Sequence, residues 1–351
     1  MDNKFAGWGI KIRKDIEKGY YSIWENLITT RLKIGKEQPL EDYKPEFVDC
    51  CINTRCNSAC PFCYVAAGKD GINYGNICET WKNWMNTFNA DRKITDLEED
   101  EILKELFTTW IRKEDDDEPR VLILKIKLRY LYQKFGMTYT EKPFQIAIGG
   151  TGEPTIHPDF CRFLETVYNT GVVPNYTTNG IVLSDREKGK EILEATSNFC
   201  GGVAVSYGNK EIRGLADKAI ENLLLLGNCK VMIHHLISDK TSVDEMILEA
   251  KKWGNDIKYH VLLPLMNHGR CKEGGMKDDG TFQYMTEKLR EEKINYAVGA
   301  NFLPYLNKYP GLVDIWEYPN EYYSKNVILQ NKKIIITKSS YNLEPIKEIC
   351  L

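Results

Sequence analysis

Three cysteines, Cys56, Cys60 and Cys63, lie in the stretch 55–64, separated by three and then by two residues. A loop of that length can turn three sulfurs toward one point. Four thiolates close a [4Fe–4S] cluster, so three leave one iron open to an outside ligand, where chemistry can occur. Zinc is the competing ligand chemistry. It usually needs a fourth Cys or His at regular spacing, and Cys50 and Cys51 lie close enough upstream to supply one. On the cysteines alone both readings stand.

Elements must hold such a loop. Residues 47–53 read as a strand delivering the chain into it. A functional loop at the C-terminal end of a strand is the layout of an α/β barrel. From residue 144 onward the chain alternates. Strands are expected over 144–148, 172–176, 202–206, 230–236 and 257–263, with helices between them. Capping boxes are read at Thr95/Glu98, Ser184/Glu187 and Ser242/Glu245. Helices are expected over 95–110 and 121–135, and again over 281–292. The acidic run 114–118 reads as a solvated loop. Six strands alternating with helices argue for right-handed βαβ units in a parallel sheet.

The spacing Cys-x3-Cys-x2-Cys with Phe62 before the last cysteine resembles the signature of the radical S-adenosylmethionine (SAM) superfamily. The resemblance covers roughly residues 46–265. It implies an α/β fold, the partial (β/α)6 TIM-like barrel of the radical SAM type. Residues 1–45 would form an N-terminal preface with a possible short hairpin, about 95–140 a helical insertion, and 266–351 a small extension covering the barrel. No further cysteine group follows the motif, so no auxiliary cluster is expected.

The resemblance also implies site residues. Cys56, Cys60 and Cys63 would hold one [4Fe–4S] cluster, whose open iron binds the amino and carboxylate groups of SAM. Gly149, Gly150, Gly152 and Glu153 look like the family's Gly-Gly-Glu loop for the amino group, with a Thr-Gly insertion before the glutamate. Thr178 and Asn179 would approach the ribose and carboxylate, and Ser206 the ribose. Phe62 and Leu263 would pack the adenine, and His235 would line the site. Asn267, His268 and Arg270 could reach substrate. Each residue also has an ordinary reading: a glycine turn, a strand-end hydroxyl, a satisfied buried histidine.

The expected activity is reductive cleavage of SAM to a 5′-deoxyadenosyl radical and hydrogen abstraction from an unidentified substrate, a peptide or protein or a small metabolite or nucleotide. Either an oxidoreductase or a transferase would fit. The electron would come from a donor such as flavodoxin or ferredoxin. The alternative is a non-catalytic zinc- or iron–sulfur-binding interaction protein.

Composition narrows the setting. A chain of 351 residues that is 42% hydrophobic has a real core. A net charge of −3 gives no electrostatic case for non-specific nucleic-acid binding. No window approaches the ~18 apolar residues of a membrane span, and the N-terminus does not read as a secretory signal. Eleven cysteines without such a signal suit a reducing, cytoplasmic setting.

Overall fold

The computed structural model describes residues 8–15, 20–33, 44–107, 119–272, 274–309, 324–339 and 343–351. The acidic run 114–118 lies outside them. The chain divides into two compact units, one built from 1–46 and 85–144, the other from 47–84 and 145–351.

The smaller unit is a five-stranded sheet with a helix. Strands β1 (Ile10–Asp15), β2 (Tyr20–Glu25) and β3 (Ile28–Lys33) form an antiparallel meander, and β2 and β3 make the hairpin expected for the preface. The larger unit's first strand, β4 (Phe47–Cys51), interrupts the chain order here. Strands β5 (Arg92–Ile94) and β6 (Met137–Tyr139) then join β1, β6 lying parallel to it. The preface and the insertion are therefore one folded body, whose core gathers Ile10, Ile12, Ile23, Leu106, Leu128 and Met137.

The helix expected over 121–135 is present as α2 (Pro119–Phe135). The helix expected from Thr95 is not formed at its start, where residues 97–103 make turns. Asp96 organises them: its Oδ1 accepts the N–H groups of Glu98 at 3.0 Å and Glu99 at 3.2 Å. A short carboxylate that satisfies two neighbouring amides favours a turn over a helix interior.

The larger unit alternates as expected. After β4 come α1 (Ile77–Met85), β7 (Gln145–Ile148), α3 (Phe160–Asn169), β8 (Val173–Thr178), α4 (Lys190–Phe199) and β9 (Gly202–Ser206). They are followed by α5 (Arg213–Leu224), β10 (Lys230–Ile237), α6 (Lys240–Trp253), β11 (Tyr259–Pro264) and α7 (Thr281–Glu292). Two capping boxes fall elsewhere. Ser184 sits in a turn and donates its hydroxyl to Ile181 O at 2.8 Å, while α4 starts six residues later. Before α6 the box is Asp239 with Ser242, the aspartate accepting from Ser242 N at 2.8 Å.

The sheet runs further than six strands. Strand β12 (Tyr296–Val298) pairs in parallel with β11, and α8 (Leu303–Lys308) follows it. Strand β13 (Ser324–Gln330) lies parallel to β4 on its open side. It turns back through Asn331 and Lys332 into β14 (Lys333–Thr337), which β15 (Pro345–Cys350) flanks. The order is β12-β11-β10-β9-β8-β7-β4-β13-β14-β15, with eight parallel strands in its run. The C-terminal segment thus prolongs the barrel wall at both ends, where the sequence suggested a separate cover.

Strand register decides which residues face inward. Asp49 pairs with Ala147, Thr177 with Ala204, and Ser206 with His234. Leu236 pairs with Leu263. Side chains two apart share a face, so these residues lie on one face of the sheet. The other face is packed by helices. Phe160 of α3 meets Tyr176 of β8 edge-on with centroids 5.1 Å apart, and the Tyr176 hydroxyl reaches Thr196 Oγ1 of α4 at 2.8 Å.

Candidate active site

The cysteine loop begins where β4 ends. The chain runs out through residues 52–64 and returns beside itself. Thr54 N donates to Ile72 O at 2.9 Å, Cys56 N to Gly68 O at 2.9 Å and Tyr74 N to Ile52 O at 3.0 Å. Gly71 permits this approach, because a Cβ there would stand 2.3 Å from Thr54 O.

Three neighbouring segments grip the loop. The first is the glycine loop after β7. Glu153 N donates to Arg55 O at 2.8 Å. A Cβ on Gly152 would meet Asn53 Oδ1 at 2.5 Å and Arg55 O at 2.6 Å, so this position accepts no side chain without moving the backbone before Cys56. Gly150 O accepts the Tyr64 hydroxyl at 2.7 Å. Gly149 and Gly150 take φ values of 141° and 86°, which favour glycine.

The second segment is the end of β8. Glu153 is 2% exposed. Its carboxylate accepts Thr155 N at 3.3 Å, Thr155 Oγ1 at 2.5 Å, Thr178 Oγ1 at 2.7 Å and Asn179 N at 2.7 Å. Burial pushes its pKa up, and these bonds pull the other way. Asn179 extends the brace, its Nδ2 reaching Asn57 Oδ1 at 2.8 Å and Cys56 Sγ at 3.8 Å. Glu153, Thr178 and Asn179 were expected to touch SAM. Their polar groups here tie the glycine loop to the cysteine loop.

The third segment follows β11. Arg270 Nε donates to Cys60 O at 2.7 Å, its Nη1 to Ala67 O at 2.9 Å, and its backbone N to Cys63 O at 3.0 Å. Gly269 lies so close that a Cβ would stand 2.3 Å from Cys63 O. Arg270, expected at the substrate, is instead a clamp on the loop.

The sulfurs themselves receive donors. Ser58 N lies 3.4 Å from Cys56 Sγ, Ser58 Oγ 3.2 Å from Cys60 Sγ, and Asn209 Nδ2 3.3 Å from Cys60 Sγ. N–H groups aimed at sulfur suit thiolate ligands, and such donors tune a bound cluster. All three cysteines are partly exposed. Cys50 is fully buried, and the Cys51 thiol is bonded to Thr151 Oγ1. Burial pushes both thiols up, Cys51 to about 11. Among the described residues no three His, Cys, Asp or Glu converge as one metal ion requires. A four-iron cube takes each thiolate on a separate corner, and the loop's donor set fits that group.

Beneath the loop lies a cavity of about 230 Å³. Phe62, Gly149, Gly150 and Leu263 line it, with Tyr64 and Thr177. Ser206 stands beside His234 in register. His234 lines the cavity, and burial lowers its pKa to about 4. His235 points to the other face, a correction to the sequence expectation. There its Nε2 meets His260 Nδ1 at 3.0 Å beside the Tyr207 ring. Which histidine faces inward depends on strand phase, and the sequence does not give phase for two adjacent histidines. Sequence reasoning also missed Asn209, Tyr64 and Asp49. Only the position of Asn209, three residues beyond Ser206, could have signalled it.

No family model matches the chain, and no curated protein matches it. Solved structures do. SuiB from Streptococcus suis bound to S-adenosylmethionine aligns with 83% of this chain at 14% identity and a TM-score of 0.52. SuiB bound to precursor peptide SuiA aligns with 93% at 12% identity and a TM-score of 0.58. The chain spans 59% of the first SuiB chain and 81% of the second. A radical SAM methyltransferase from Sphaerobacter thermophilus aligns with 51% of this chain and 55% of its own at 14% identity, with a TM-score of only 0.36. With parallel strands β4 and β7 to β11 in order and the cysteine loop after the first of them, this chain shares the α/β fold of SuiB.

Proposed function

We propose that the protein is a radical SAM enzyme. Cys56, Cys60 and Cys63 would hold one [4Fe–4S] cluster, and SAM would lie between the open iron and the cavity, against Gly149, Gly150, Phe62, Ser206 and Leu263. Bound there, the pair would supply reductive cleavage of SAM and a 5′-deoxyadenosyl radical able to take hydrogen from substrate.

The observation carrying this reading is the convergence of three strand-end segments on one loop. Glu153 and Asn179 fix its start, and Arg270 fixes its end. Backbone so heavily braced keeps its shape whether or not a ligand is present, the preorganisation a reactive site needs. The chain's own tasks are then to orient the ligands and exclude water from the cavity. Apolar walls from Leu236, Leu263 and Met266 serve the second task.

A peptide is the favoured substrate class, because SuiB with the same fold was solved bound to a precursor peptide. A low-potential donor such as flavodoxin or ferredoxin would provide the electron. No helix among the described residues is long and apolar enough to cross a membrane, and a cytoplasmic setting fits the reduced thiols. The test is anaerobic reconstitution with iron and sulfide, then dithionite and SAM. Release of 5′-deoxyadenosine and methionine from brown, iron-loaded protein is expected. Iron-loaded protein that releases none under strong reductant would refute the enzyme reading. A colourless chain holding zinc would favour the binding role.

A further inference from the structure

The cavity wall contains a carboxylate that nothing in the protein answers. Asp49 lies on β4, two residues below Cys51 and so deeper than the cysteine loop. Among the described residues it is the one carboxylate lining the cavity, and no Lys or Arg lines it. No hydrogen bond or ion pair reaches its side chain among those residues. Burial alone raises its pKa to about 6, with no neighbouring charge to offset that cost. Its register partner across to β13 is Asn326, which also lines the cavity. The amide of Asn326 likewise has no hydrogen-bond partner among the described residues. A partly exposed cavity carboxylate with no positive neighbour favours an arriving opposite charge.

We propose that Asp49 receives a cationic nitrogen of the substrate, an ammonium group carried on an aliphatic stem. The chemistry of the wall selects that class. An ammonium has three donors and no acceptor. Asp49 offers carboxylate oxygens, and Asn326 on the adjacent strand offers an amide oxygen. Leu236, Leu263, Met266 and Val327 supply aliphatic surface in the same cavity for the stem. His234, the other ionisable nitrogen there, is neutral at pH 7 and does not compete as a cation. An anionic substrate group would meet Asp49 with no positive residue to balance it. Asp49 takes this role within the enzyme reading given above.

The probe is n-butylammonium, with 1-butanol and butyrate as neutral and anionic controls. Each is titrated calorimetrically into the cluster-loaded full chain with SAM and no reductant. Butylammonium should bind at least tenfold more tightly than either control, and Asp49→Asn should remove that preference. Asp49→Glu should keep part of it. SAM affinity and iron content should be unchanged in both variants. Equal binding of the three probes to the unaltered protein would overturn the proposal, whatever the variants do. So would an undiminished preference in Asp49→Asn. A parallel loss of SAM affinity in that variant would assign Asp49 to the SAM sulfonium and overturn the substrate role. Because no reductant is present, failure to release 5′-deoxyadenosine would sink the enzyme reading without touching this result.

Discussion

The rim of the cavity and its inner wall use polar groups in opposite ways. At the rim the protein answers most of its own polarity, Arg270 Nη2 being a buried exception. The Glu153 carboxylate takes four hydrogen bonds, and Arg270 reaches two carbonyls through its side chain and a third through its backbone. On the wall, Asp49 and Asn326 share a register position and face the cavity without partners. Hydrogen-bonded buried groups fix geometry, and partly exposed groups without protein partners are open to a ligand. The rim is therefore a frame, and the wall leaves polar groups open to the cavity.

The largest test of that contrast removes what the frame holds. Cys56→Ala, Cys60→Ala or Cys63→Ala should each abolish iron retention after anaerobic reconstitution. Cys50→Ala and Cys51→Ala should keep full iron content. Iron analysis with absorption near the cluster band decides it, and loss of iron in either control would mean the ligand set is wrong.

Next in size is Gly152→Ala. Its methyl group would overlap Asn53 Oδ1 and Arg55 O, and the second of these is backbone that cannot swing aside. A destabilisation of roughly 2–3 kcal/mol is expected from overpacking, together with reduced iron content. Urea denaturation of the iron-free chain measures the first. Wild-type stability in the variant would show that the frame yields more easily than its contacts suggest.

Arg270→Lys should cost less, about 1–2 kcal/mol, because a single ammonium cannot span the Cys60 and Ala67 carbonyls as the guanidinium does. The cluster should still assemble but with altered electron paramagnetic resonance features, since its loop is held on one side only. An unaltered spectrum would reduce Arg270 to a surface packing role.

The smallest change should have the opposite sign. The folded-state pKa of Asp49, about 6, stands above the ordinary aspartate value of 3.8. Its burden on stability is therefore absent below pH 4, grows as pH rises, and is complete above about pH 6. Cys51, Tyr64 and His234 are the other titratable groups lining the cavity. Asp49→Asn should stabilise the ligand-free chain by roughly 1 kcal/mol at pH 7.5 and by nothing at pH 4. A variant less stable than wild type at pH 7.5 would mean the wall is framed like the rim.

Much of the frame could be read from residue order. Buried parallel strands appear as short apolar runs between glycine-closed helices, so 202–206 and 281–292 agree with the structure to the residue. The cysteine spacing is a local signal and survives intact. Distant pairing is harder to read. Strand β13 is recognisable as half of a hairpin, but nothing local says that it lies beside β4. The same holds for β6 beside β1, which merges preface and insertion. Capping pairs failed where a nearer Asp competed: Asp96 makes a turn before Thr95/Glu98 can cap, and Asp239 takes Ser242 as partner. Asp49 was hidden because one charged residue in an apolar strand carries no mark of which face it takes.

The placement of β13 bears on how the molecule is made. Strand β4 leaves the ribosome long before Ser324–Gln330, which covers one of its two edges. During translation the strand that leads into the cysteines therefore waits with a row of unpaired amides and carbonyls, a template for any passing extended chain. Late closure of this kind is slow, because a distant contact must form last. A nascent chain halted before Ser324 is expected in the insoluble fraction, and one extended past the β13–β14 hairpin in the soluble fraction. The strand that leads into the cysteine loop thus stays open on one side until β13 has been made.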